Sequence, residues 1–151
     1  MRNRDGWSRR RLLIGAALVL PVAVIGTRRV LRPRFAGETL TVEEAHAAAA
    51  TGEVVLVDIR RPDEWAATGV GAGAYPIDMR SDDFEAELIR AVGGDMDRPV
   101  ALICAAGVRS ARLAARLEEA GFGRILDVPE GMQGSSAGPG WIASGLPVVP
   151  G

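Results

Sequence analysis

Val100-Ala101-Leu102-Ile103-Cys104-Ala105-Ala106-Gly107-Val108-Arg109-Ser110, followed by Ala111 to Ala120, decides how this chain is read. The uncharged apolar run after Pro99 predicts a buried strand. Leu113 and Leu117, one helical turn apart, predict an amphipathic helix over Arg109 to Ala120. The only cysteine of the chain therefore stands at a strand-to-helix turn.

The first backbone N–H groups of a helix have no partner inside it, and the helix dipole places partial positive charge there. Such a position stabilises a thiolate. Small residues at Ala105, Ala106 and Gly107 let the loop curl round the sulfur with its amides turned inward as an anion-binding nest, and Arg109 offers a planar guanidinium fork to an oxyanion. Taken alone, Cys104 is either a small buried hydrophobe or a nucleophile above an anion cradle. A structural cysteine, however, needs neither the Gly at the third position after it nor the Arg at the fifth.

Cys104-Ala105-Ala106-Gly107-Val108-Arg109-Ser110 resembles the active-site loop of the rhodanese (sulfurtransferase) family in its single-domain form. Two further segments carry the same resemblance. Leu56-Val57-Asp58-Ile59-Arg60-Arg61-Pro62-Asp63-Glu64-Trp65 is similar to the family's N-terminal signature, and Gly140-Trp141 with Gly145-Leu146-Pro147-Val148 to its C-terminal one. Together they span about residues 38 to 149, in family order.

The resemblance implies a catalytic Cys104 that carries a persulfide, with Ala105, Ala106, Gly107, Val108, Arg109 and Ser110 as the substrate-binding loop and no cofactor or metal. Sulfane sulfur would pass from thiosulfate or another persulfide donor, through Cys104, to cyanide, a thiol or a protein. A monomer is expected, with an exported protein as a further candidate partner. Two alternatives stand beside this expectation: a non-enzymatic binding or sulfur-carrier module on the same fold, and a Cys-dependent phosphatase. Phosphatase loops of related folds hold five residues between Cys and Arg, whereas Ala105 to Val108 give four here.

Charge divides the chain. Residues 1–34 carry nine Arg and one Asp, a balance of +8, while residues 35–151 carry nine Arg and 18 acids, a balance of −9, giving the net −1 of the whole. A basic leader thus precedes an acidic domain. Within the leader, Ser8-Arg9-Arg10-Arg11-Leu12-Leu13 is similar to a twin-arginine export motif, and the uncharged run from Leu12 to Gly26 follows it. As a helix that run spans about 22 Å, short of the ~30 Å hydrocarbon core, and Pro21 interrupts it. A signal peptide or an N-terminal membrane anchor over 1–34 is expected, placing the domain outside the inner membrane, in the periplasm or on that membrane's outer face. Membrane contact is expected only through these residues.

At 151 residues the chain has room for one domain, expected over 38–149. Thr41-Val42-Glu43-Glu44 has the spacing of a capping box and predicts a helix over Val42 to Ala50, stopped by Gly52. Glu53 to Asp58 predicts a central strand buried on both faces, and Asp58 with Arg60 an ion pair anchoring the turn beside the site. Pro62 opens a short helix, Tyr75 to Asp78 a short strand, and Ser81 or Asp82 caps a helix running through Val92. Gly121-Phe122-Gly123 turns into the last sheet strand, Ile125 to Val128. The family commonly carries a Trp where Ser135 stands, which predicts a more open rim.

His46 is expected on a helix in a surface or packing role, and Trp141 in the core. Alternation of strands and helices argues an α/β domain with a mostly parallel central sheet flanked by helices on both faces. The folded part has no metal-spaced His/Cys cluster, no phosphate-binding glycine loop after its first strand and no basic patch for nucleic acid.

Overall fold

A computed structural model of the chain describes residues 35–151. The export leader expected over 1–34 lies outside the described residues. A five-stranded parallel sheet runs in the order β1 (Glu38–Thr39), β6 (Ile125–Val128), β5 (Val100–Ile103), β2 (Val55–Asp58) and β4 (Tyr75–Pro76). The central register sets Val55 beside Val100 and Val100 beside Ile125. Four-residue strands buried along their whole length occupy the centre, as their unbroken apolar runs require of a sheet covered on both faces.

Alternate residues of these strands feed two cores. On one face α3 (Phe84–Ala91) and α4 (Val108–Glu119) cover Val55, Val57, Val100, Leu102, Cys104 and Ile125. On the other, α1 (Val42–Thr51) and α5 (Gly140–Ala143) cover Leu56, Ala101, Ile103, Leu126 and Val128. The period-two alternation of side chains divides each strand between the two cores.

The first helix starts as its sequence dictates. Thr41 Oγ1 accepts from the Glu44 amide, Glu44 accepts from the Thr41 amide, and Gly52 closes the helix with φ of 77°. The helix α2 (Pro62–Thr68) begins on its proline. The cap expected at Ser81 or Asp82 is displaced: α3 is preceded by Asp83, while Ser81 Oγ accepts from the Asp83 amide in a separate turn. That local side-chain turn competes with capping and delays the helix. The strand expected over Tyr75 to Asp78 is confined to Tyr75–Pro76, and β3 (Val70–Gly71) pairs antiparallel with β7 (Val148–Val149) in a small second sheet.

His46 and Trp141 fall as expected, their rings edge to face at 5.3 Å. Trp141 is fully buried and its indole N–H donates to the Pro147 carbonyl at 2.9 Å.

Asp58 and Arg60, both with fully buried side chains, join at the end of β2. Arg60 Nε and Nη2 donate to the carboxylate at 2.9 and 2.8 Å, while Nη1 donates to Thr68 Oγ1 and Nη2 to the Gly69 carbonyl. One guanidinium therefore ties the strand end to the far end of α2. Removing one partner strands the other's charge in the interior, which costs about 3–5 kcal/mol. Asp58→Asn is expected to lower the free energy of unfolding by that amount in a urea titration, and a loss under about 1 kcal/mol would mean that the pair does not anchor this turn.

Candidate active site

The sulfur loop links β5 to α4. Cys104 directly follows the strand and is 1% exposed; Gly107 caps α4 in the left-handed region with φ of 75°. Only glycine suits this position, because a Cβ would also overlap the Pro129 carbonyl oxygen. A second glycine supports the loop from outside. Gly131 has φ of 71°, and a Cβ there would lie 2.5 Å from the Ala105 carbonyl oxygen.

Between these glycines the backbone of the β6–α5 connection grips the loop. The Met132 amide donates to the Cys104 carbonyl at 2.8 Å and the Gln133 amide to the Ala105 carbonyl at 2.9 Å. Ser135 Oγ donates to the Pro129 carbonyl at 2.7 Å. Ser135 thus braces the connection.

With two loop carbonyls turned outward to these donors, the N–H groups from Ala105 to Ser110 meet no acceptor among the described residues. Consecutive free amides at a helix start form an anion-binding concavity. Ser110 is fully buried and brings its hydroxyl 3.5 Å from Cys104 Sγ. The structure therefore gathers Cys104, Ala105, Ala106, Gly107, Val108, Arg109 and Ser110 in one turn. No group of three His, Cys, Asp or Glu side chains able to hold a metal occurs among the described residues.

Sequence reasoning missed the partner of Arg109. Glu64 accepts from its Nη1 at 2.8 Å and its Nη2 at 2.7 Å, a bidentate pair across the site. Glu64 is itself fixed by α2, since its Oε2 also accepts from the Arg61 amide. Its one visible signal is the third-residue spacing from Arg61 at a helix start; the long-range contact has none.

Arg109 holds the Glu64 carboxyl below the usual carboxylate range, more than burial raises it. Glu64 in turn raises the guanidinium's own pKa, with a smaller contribution from Cys104. Asp127 on β6 is a buried acid that sequence reasoning passed over. It is 3% exposed, and burial pushes its carboxyl up to about 6, against the lesser opposing effects of the Ser110 hydroxyl and the Val128 amide.

A profile of the Rhodanese-like domain matches residues 41–137. A sulfurtransferase of Allochromatium vinosum is 34% identical over 99 residues, covering 66% of this chain and 81% of that protein. Among solved structures, the polysulfide-sulfur transferase homodimer of Wolinella succinogenes superposes with a TM-score of 0.59 at 27% identity, over 75% of this chain and 78% of its own. A Rhodopseudomonas palustris protein of unknown function, described as a possible tyrosine phosphatase, gives 0.56 at 27% identity, over 75% of this chain and 85% of that one.

A carboxyl whose folded pKa is depressed contributes stability that is complete above its unfolded value and lost as pH falls through the folded one. For Glu64 the loss sets in below about 4.5. Glu64→Gln is expected to flatten this part of the acid limb in thermal unfolding scans across that range. Equal slopes in both proteins would show that the pair with Arg109 adds nothing to the fold.

Proposed function

The chain belongs to the rhodanese-like family, and from that membership we propose that it transfers sulfane sulfur through a persulfide on Cys104. One observation carries the proposal: Cys104 stands at the start of a turn in which the amides from Ala105 to Ser110 donate to no acceptor among the described residues, leaving them available to a second sulfur on Cys104. Preorganised donors of this kind stabilise charge without reorganising as it develops.

In the first half-reaction the Cys104 thiolate attacks the outer sulfur of the donor. An S–S bond forms to Cys104 as the donor's own bond to that sulfur breaks, and with thiosulfate the electron pair departs on sulfite. In the second, an acceptor thiolate or cyanide attacks the outer sulfur of the persulfide and the thiolate of Cys104 leaves with its electron pair. The scheme is ping-pong, and neither half needs a cofactor. Arg109 orients an anionic donor at the mouth of the loop while Glu64 offsets its charge, so a persulfide fits the site at least as well as thiosulfate. The leader over 1–34 would place this chemistry outside the inner membrane.

The likeness to a protein described as a possible tyrosine phosphatase supports a second reading, phosphoester hydrolysis. Against it, only Ala105 to Val108 separate Cys104 from Arg109, a turn tighter than the five-residue interval that wraps a tetrahedral phosphate.

Cys104→Ser is expected to leave under about 1% of thiosulfate-to-cyanide transfer, because a hydroxyl neither ionises near neutral pH nor carries a persulfide. Arg109→Ala is expected to lower kcat/KM about tenfold for thiosulfate and less for an uncharged persulfide donor. Equal losses would make Arg109 a purely structural residue, and phosphoester turnover by a protein inert toward both donors would favour hydrolysis.

A further inference from the structure

Arg109 stands on the first turn of α4, and the two ends of its guanidinium, Nη1 and Nη2, both donate to the Glu64 carboxylate, at 2.8 and 2.7 Å. That edge of the fork is one that matches a two-oxygen anion. In this chain a carboxylate of the protein itself already fills it. Glu64 is also fixed where it is: its side chain is 14% exposed, its Oε2 accepts from the Arg61 amide at 3.1 Å, and the helix that carries it is tied down at its far end by Arg60, which donates to Thr68 Oγ1 and the Gly69 carbonyl.

The neighbouring cations do not replace the one Glu64 has taken. Arg60 is held by Asp58 in the interior, and Arg61 donates from Nε and Nη2 to Asp63 at 2.9 and 2.7 Å. Ala105 and Ala106 bring no charge to the loop, and Arg112, a turn further along α4, is exposed where solvent screens it. Arg109 and Glu64 therefore sum to zero at the site, inside a domain whose balance is −9. A donor that carries an oxyanion meets a filled fork with a fixed like charge beside it. A donor without one meets neither obstacle, and a repulsive element of this kind is a common basis of selectivity.

We propose that Glu64 selects the sulfur donor, turning the site away from thiosulfate and other oxyanion-bearing donors and toward organic persulfides, RS–SH, whose R group is uncharged; the inference rests on the sulfur-transfer reading. With such a donor the Cys104 thiolate bonds to the terminal sulfur as the donor's S–S bond breaks. RS− leaves with the electron pair, and the proton stays on the transferred sulfur. One negative charge is present before the step and one after it, so the neutral pair of Arg109 and Glu64 suffices. Thiosulfate brings two further negative charges to the same place. Glu64 acts through Arg109 and is a positioning residue, since it does not touch the sulfur.

Three donors separate charge from chemistry: thiosulfate, and the persulfides of mercaptoethanol and of mercaptoethanesulfonate, which are alike except for the sulfonate. The unmodified chain is expected to use the uncharged persulfide about tenfold better in kcat/KM than its sulfonate counterpart. The opposite preference would overturn the inference without recourse to any variant. Glu64→Gln keeps the shape and removes the charge; it is expected to raise kcat/KM about tenfold for both oxyanion-bearing donors, through a lower KM, and to change the uncharged persulfide by less than about twofold. Glu64→Asp returns the charge and is expected to return the discrimination. An equal change for all three donors in the Gln variant would make Glu64 structural and overturn its selective role. A neutral peptide carrying a cysteine persulfide is run beside the small one: both share the favoured chemistry, and the faster of the two assigns the donor to a protein or to a small thiol. Intact mass keeps the two readings apart, because sulfur gained by Cys104 from all donors with equal efficiency overturns donor selection alone, whereas no gain from any donor overturns the sulfur-transfer reading and the selection with it.

Discussion

Two backbone hydrogen bonds decide which way the sulfur loop faces. The Met132 and Gln133 amides take the carbonyls of Cys104 and Ala105, and once those carbonyls point outward the loop's own amides are left to line its interior. Gly107 and Gly131 are required by the same contact, because each brings backbone against backbone where a Cβ has no room. The cradle at Cys104 is therefore built by a segment more than twenty residues downstream as much as by the loop itself. The parallel register of β5 with β6 brings the two together, which is why the rest of the sheet matters to the site.

Much of this was legible in the sequence because it is local. An apolar strand, a run of small residues and an amphipathic helix identify the loop without reference to anything distant, and the capping box at Thr41 with its glycine stop needed only four residues and a turn signal. What escaped was either too short or too remote. Two-residue strands such as β1, β3 and β7 have no periodicity to read; they exist because neighbouring backbone offers partners. At Ser81 a local hydroxyl–amide turn overrode the expected cap.

The pairing of Glu64 with Arg109 joins residues 45 positions apart, and nothing in either neighbourhood announces it. Asp127 did leave a trace, since a carboxylate interrupting Ile125-Leu126-Asp127-Val128 contradicts the apolar run around it. A local rule broken inside a core strand marks a functional position often enough to be pursued.

The electrostatics of the site follow from these placements. Arg109 is the one cation of the loop, and Glu64 offsets it; Arg60 is held by Asp58; Asp127 lies buried on β6. Around them residues 35–151 carry a balance of −9, which opposes the approach of a dianion at long range. In the proposed reaction, stabilisation of a sulfur anion falls to the amides of the loop, whose donors act at contact distance and carry no net charge. Such a site depends on geometry more than on charge, consistent with the number of contacts devoted to holding one turn of backbone.

The central claim is that Cys104 carries transferable sulfur, and the intact mass of the unreduced protein after incubation with thiosulfate, then with cyanide, tests it most directly. The account predicts a gain of one sulfur atom that cyanide removes. An unchanged mass with thiosulfate and with an organic persulfide alike, while Cys104 remains free to react with an alkylating reagent, would contradict it.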